Sequence, residues 1–269
     1  MQSSQLEKED WPRYDALVKQ SPHGSIFSLS TWEADQVFGV FKGKELVAGA
    51  ALRTTPHGMA RYVEGTPWQG ICARSDREGE NLAIAESLVK ALSTYFREVT
   101  LTLSPQWTDI RAFTWAGLKP EIRYTYRGYG PYEKRVKIAP DEPDSTEVEF
   151  LEDWRCIYYW RANGGGDHSY YIDREICRAK ELGKDFDMVG CNSPNRGLFK
   201  RGFGGKLTPY FAVTSAETRD LRSMPIPSLR AGQDSVRHLP EECRRDERPL
   251  QLVGAEDNSL QGHRLNAVS

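Results

Sequence analysis

The chain has 269 residues, with 36 lysines and arginines against 38 aspartates and glutamates and a formal net charge of −2. That length suits one large or two modest domains with real cores, and the balanced charge provides no global basic field for nucleic acid or membrane. DNA is therefore not an expected partner, and any tRNA contact has to use a local patch.

In chain order, Trp11, Tyr14, Leu17 and Val18 lie on one face of a short helix, which Ser21-Pro22-His23-Gly24 stops. Gln36 to Lys42 and Glu45 to Arg53 flank Gly43-Lys44 as a β-hairpin, and Ala60 to Glu64 is a further strand. The spacing of Leu82, Ala85, Leu88, Val89, Leu92 and Phe96 predicts a helix over Asn81 to Phe96, with Asn81 as its N-cap. Val99 to Leu103 reads as a strand, Asp109 to Leu118 as a helix ended by Lys119-Pro120, and Ile122 to Tyr126 as a strand. This order predicts a mixed sheet flanked by helices.

From Pro131 to Asp153 the chain turns acidic and aperiodic, which predicts a linker or surface loop. Cys156 to Trp160 reads as an aromatic strand. Asn163-Gly164-Gly165-Gly166 reads as a flexible turn; with neither G-x-G-x-x-G nor Walker spacing, it is a poor phosphate loop. Asp167 is the expected N-cap of a helix carrying Ile172, Ile176, Ala179 and Leu182, and Gly183 suits its C-terminal end. Phe186 to Gly190 reads as a short buried strand and Leu207 to Val213 as the last one.

All aromatic residues lie at or before Phe211, and eight arginines but no lysine follow Lys206. Residues 215–269 thus lack the means to build a core. Two readings stand side by side: a disordered interaction tail, or translation of a shifted reading frame. The N-terminus is polar, with no signal-like segment, and no apolar run approaches the roughly 18 residues of a membrane-crossing helix, so a cytoplasmic location is expected. Five scattered cysteines without a C-x-x-C pair predict buried thiols, neither disulfides nor a metal site.

The chemically informative stretch runs from Asp187 to Tyr210 and contains Phe199-Lys200-Arg201-Gly202-Phe203-Gly204-Gly205. This F-K-x-x-F-G-G pattern, with the preceding Ala179-Lys180-Glu181-Leu182-Gly183, resembles the end of the second GNAT-like domain in the FemAB peptidyltransferases. Ser25-Ile26-Phe27-Ser28 with Trp32, and Arg123-Tyr124-Thr125-Tyr126, are weaker matches. The resemblance implies an α/β fold of GNAT-like mixed sheets and transfer of an aminoacyl or acyl group onto an amine. The acceptor would be a small molecule or cell-wall precursor. The donor would be charged tRNA or acyl-CoA, with no tightly bound cofactor. Such chemistry needs a neutral amine, a fixed approach and donors or positive charge where the oxyanion forms.

Lys200 is the expected cation, supported by Asp187. Arg201, Phe199, Gly204, Gly205, Tyr210 and Trp32 are candidate substrate contacts. Against these readings, Phe199 and Phe203, four apart, suit packing anchors. Asp187 interrupts an apolar strand and needs a partner, with Lys200 or Arg201 the candidates. Tyr210 can equally hold a substrate or cover the core. His168-Ser169 beside Asp167 is no triad, since adjacency in sequence is not triad geometry.

Residues 1–130 supply a first GNAT-like unit, 131–153 a linker and 154–214 a partial second unit. Either the two parts complete one shared sheet, or a segment of the second has been lost. Rival functions are an acyl-CoA-dependent N-acyltransferase modifying lipid or polysaccharide, and a catalytically degenerate binding domain.

Overall fold

The computed structural model describes residues 1–61, 66–130, 147–163 and 168–215. The N-terminal half runs β1 (Gln2–Gln5), α1 (Trp11–Gln20), β2 (Gln36–Lys42), β3 (Glu45–Thr54), β4 (Met59–Arg61), β5 (Cys72–Ala73), α2 (Glu78–Tyr95), β6 (Glu98–Thr102), α3 (Arg111–Trp115) and β7 (Leu118–Arg127). After it come β8 (Glu147–Glu152), β9 (Cys156–Asn163), α4 (Ser169–Glu181), β10 (Asp185–Asp187), α5 (Pro194–Arg201) and β11 (Lys206–Ser215). The strands form one mixed sheet in the order β1-β2-β3-β4-β6-β11-β7-β10-β9-β8, with β5 added beside β3. The expected α/β fold, a mixed sheet flanked by helices, is the observed one.

The hairpin of β2 and β3 is covered on both faces, so its strands are apolar almost throughout. Phe38, Val40, Ala48, Ala50 and Leu52 pack with Ile84, Leu88 and Leu92 of α2. Val37 and Ala51 join Tyr14, Leu17 and Val18 of α1 on the other side. Tyr14 is fully buried because β3 carries glycine there: a Cβ on Gly49 would stand 2.9 Å from its ring and 2.6 Å from the Phe38 carbonyl oxygen.

Several boundaries differ from expectation. Helix α2 starts at Glu78, so Asn81 lies inside its first turn and is not the cap. The positive helix end is met there by Glu78 and Glu80. Helix α3 is shorter than expected and β7 longer, beginning at Leu118. The expected linker over 131–153 ends early, because Glu147–Glu152 forms β8 and pairs with β9; its residues 131–146 lie outside the described ones. The cap position of α4 is His168, not Asp167, and the expected glycine turn before it is likewise outside the described residues. Of the expected tail only Ser215 is described, and it ends β11. Cys72, Cys156 and Cys191 are buried free thiols, but Cys177 is exposed.

The final strand does not close a separate second sheet. It lies between β6 and β7, antiparallel to both, and pairs with all of β7 from Lys206↔Arg127 to Ser215↔Leu118. The two parts of the chain therefore share one sheet.

Candidate functional site

Strands β9 and β10 are parallel and joined through α4, and they pair for only three residues, Asp185↔Cys156 to Asp187↔Tyr158. Beyond Asp187 the chain leaves β9 and follows β7, where the Met188 and Cys191 amides donate to the Tyr126 and Tyr124 carbonyls, both at 2.9 Å. Strand β9 continues to Asn163 beside β8 alone. A crevice between parallel strands at their carboxyl ends is the usual ligand position in open α/β sheets.

The parting is made by two successive left-handed residues, Val189 (φ 44°) and Gly190 (φ 59°). For a β-branched residue this conformation is costly, so the surroundings must hold it. Lys200 does so. It reaches from α5, buried to 6% exposure, and its Nζ donates to the carbonyls of Met188 (2.5 Å), Val189 and Gly190 (2.7 Å). The ammonium also lies 5.4 Å from the centre of the Tyr159 ring. Burial lowers the Lys200 pKa to about 8, against the opposing pull of Asp187.

Asp187, at the end of β10, is fully buried. Its Oδ1 accepts from Thr125 Oγ1 (2.6 Å) and the Val189 amide (2.8 Å). Its Oδ2 lies 3.0 Å from Arg127 Nε, an ion pair whose angle falls short of a directed hydrogen bond. Burial raises the Asp187 pKa, with Arg127 opposing. Burial equally works against the Arg127 charge, but Asp187 and its other neighbours outweigh it and leave that pKa raised. The Arg127 guanidinium sits 6.0 Å from the Trp68 ring centre.

Beside this pair an aromatic cluster joins the two halves of the chain. Phe27 stacks on Trp160 at 5.4 Å, Trp32 meets Trp160 edge-on at 5.7 Å, and Trp68 meets Tyr210 edge-on at 5.7 Å. Trp32 and Trp160 remain half-exposed. The Tyr158 hydroxyl donates to Asp153 Oδ2 (2.8 Å), which also accepts from the Ile26 amide (3.1 Å).

The structure places Asp187 within electrostatic reach of Lys200 and Tyr210, and Trp32 in the aromatic cluster around Phe27 and Trp160. Lys200 was expected to face a reacting carbonyl; here its Nζ donates to three backbone carbonyls. Asp187 pairs with Arg127, not with Lys200 or Arg201. Phe199 packs on Phe203 at 5.4 Å, as packing anchors do. Tyr210 is buried against Trp68. Arg201 points to the exposed side of α5. Gly204 (φ 74°) and Gly205 turn the chain back onto β7: a Cβ on Gly205 would stand 3.2 Å from the Arg127 carbonyl oxygen. The close approach is to the chain's own backbone. Sequence reasoning missed Arg127, Thr125, Tyr159 and Trp160; the only signal was the charged and aromatic alternation of two strands. Among the described residues no group of metal-ligating side chains comes together, and no helix is long and apolar enough to cross a membrane.

No protein-family model and no curated protein matches the chain. Among solved structures, a tandem GNAT protein from the clavulanic acid biosynthesis pathway is similar at TM-score 0.46 and 9% identity, over 81% of this chain and 99% of that one. L-PGS from Bacillus licheniformis is similar at TM-score 0.45 and 9% identity, over 81% and 94%. A GNAT-family acetyltransferase from Colwellia psychrerythraea is similar at TM-score 0.42 and 7% identity, over 80% and 99%.

Proposed function

We propose that the chain moves an aminoacyl or other acyl group from an ester or thioester onto an amine, in the crevice where β9 and β10 part. The observation that carries this reading is the Lys200-held corner at Met188–Gly190, which separates two parallel strands beside an aromatic wall. It coincides with the F-K-x-x-F-G-G resemblance, since Lys200 is that motif's lysine.

On the side away from β8, the edge of β9 past Tyr158 has no strand opposite it among the described residues. Its backbone N–H groups are donors of the kind a developing oxyanion needs. Trp32 and Trp160 offer half-exposed rings to hold the donor and exclude water. In the reaction the amine nitrogen bonds to the carbonyl carbon, the C–O or C–S bond breaks, and the amine's proton passes to the leaving oxygen or sulfur. Lys200 acts through the shape of the corner. The donor is charged tRNA or acyl-CoA, and the acceptor an amine of a cell-wall precursor or other small molecule, in the cytoplasm.

The test incubates the purified full chain with an amine acceptor and either charged tRNA or acyl-CoA, and reads product by mass spectrometry. Product from one donor only, lost when Trp160 becomes Ala in a folded variant, is the expected result. A second reading, binding without turnover, is favoured by Lys200 having no proton left to offer. Saturable precursor binding with no product from either donor would establish it.

A further inference from the structure

A second cleft lies in the N-terminal half, away from the parting of β9 and β10. It has a volume of about 580 Å³ and lies between the first turn of α2 and the loop that follows β6. Its walls include His23, Asn81, Trp107, Asp76, Glu78 and Asp109.

Two buried polar side chains line it, and each carries an atom with no well-formed hydrogen bond. His23 is 4% exposed; its ring lies within reach of the Ser75 backbone, but neither ring nitrogen makes a hydrogen bond of good geometry. Burial lowers its pKa to about 4, so it stands neutral with one donor and one acceptor nitrogen. Asn81 is 7% exposed and its Oδ1 accepts from nothing. Buried polar atoms left unpaired cost stability and are rare, so two in one cleft point to a ligand that satisfies them.

The charge of the mouth selects the ligand. A helix N-terminus ordinarily invites an anion, but this one opens on Glu78, Glu80 and the neighbouring Asp76. Arg111 is held by Asp109 (2.7 and 2.9 Å) and Glu78 (2.7 Å), which occupies its charge. Asp76 is exposed and has no ion-pair partner among the described residues. Trp107 tilts against His23 at 4.8 Å and gives the cleft an apolar side.

We infer that this cleft binds a short peptide or amino-acid amide with a free amine, its ammonium meeting Asp76 and its amide groups pairing with His23 and Asn81. An ammonium held by a carboxylate is no nucleophile, so this is a recognition site. The inference needs no transfer reaction and stands on the cleft alone.

The probe is L-alanyl-L-alaninamide, titrated into the full chain while NMR follows the Trp107 indole and the His23 ring nitrogens. Saturable shifts are expected at both. N-acetylation of the peptide, Asp76→Asn and His23→Phe are each expected to weaken binding about tenfold, the size of one charged or buried polar contact. Because His23 makes no well-formed hydrogen bond in the cleft, His23→Phe is expected to melt at or above the wild-type temperature, which separates loss of binding from loss of fold. The inference is overturned if no saturation occurs at millimolar peptide, or if the acetylated peptide or the His23→Phe variant binds as tightly. It is equally overturned if inorganic pyrophosphate, and not the peptide, moves these signals.

Discussion

Lys200 carries a charge into a place that is 6% exposed, and three carbonyls are what make that tolerable. In Lys200→Met those carbonyls lose their donor while Val189 keeps its left-handed backbone, so a loss of about 2 kcal/mol or more is expected in urea titrations at pH 7. The pH dependence identifies the cause. Folding lowers the Lys200 pKa from 10.5 to about 8, so in that window the unfolded chain holds a proton that the folded chain has released. Stability from this group therefore rises with pH there, and the wild type should gain about 2 kcal/mol on Lys200→Met between pH 8 and pH 10. A constant gap across that range would show that the lysine is not titrating where it is buried. The Asp187–Arg127 pair is tested by a double-mutant cycle. Asp187→Asn or Arg127→Met alone leaves a buried partner uncompensated and should cost about 3–5 kcal/mol, whereas the double variant should cost clearly less than the sum. Additive losses would mean that the 3.0 Å contact contributes no coupling.

At the level of elements, the parting of β9 and β10 depends on α5 and the turn after it being pressed onto β7. Gly130 shows how tight this is: a Cβ there would stand 2.5 Å from the Gly204 carbonyl oxygen, and backbone cannot yield cheaply. Gly130→Ala is expected to cost about 1–3 kcal/mol in thermal or urea unfolding, by forcing the turn away from β7. An unchanged melting temperature would show the two turns to be independent. Elements with strong periodicity are legible in the sequence: the continuous apolar runs of β2 and β3, the helical spacing of α2, and the aromatic run of β9. Strand β1 is not, because Gln2–Gln5 is polar and is fixed by its ladder to β2. Strand β8 hid in an acidic stretch, and α5 is an eight-residue helix with Gly197 inside it, so neither carried a strong pattern. Asp187 could be singled out as a buried charge and Lys200 as the motif's cation, but the partners each one has could not. Arg127 reaches Asp187 only because β7 pairs with β10, a contact between residues far apart in sequence.

Across the whole molecule the two halves are also tied outside the aromatic cluster. Arg155, at the foot of β9, donates to the Pro22 carbonyl (3.2 Å) and to the Gly24 carbonyl, on either side of His23. The stronger tie is β11, which makes the last described strand a central one. Ending the chain at Gly205 would take the partner from β6 and from all ten residues of β7, and remove Tyr210 and Val213 from the core. A sheet with a missing inner strand leaves two unpaired edges and exposed apolar faces, so this fragment should show no cooperative unfolding transition and should aggregate. Ending the chain at Ser215 keeps every described ladder. Since no aromatic residue follows Phe211, that fragment is expected to melt within about 2 °C of the full chain. If the Gly205 fragment unfolded cooperatively, β11 would be an addition to a fold complete without it; parallel melts of the three chain lengths by circular dichroism decide the point.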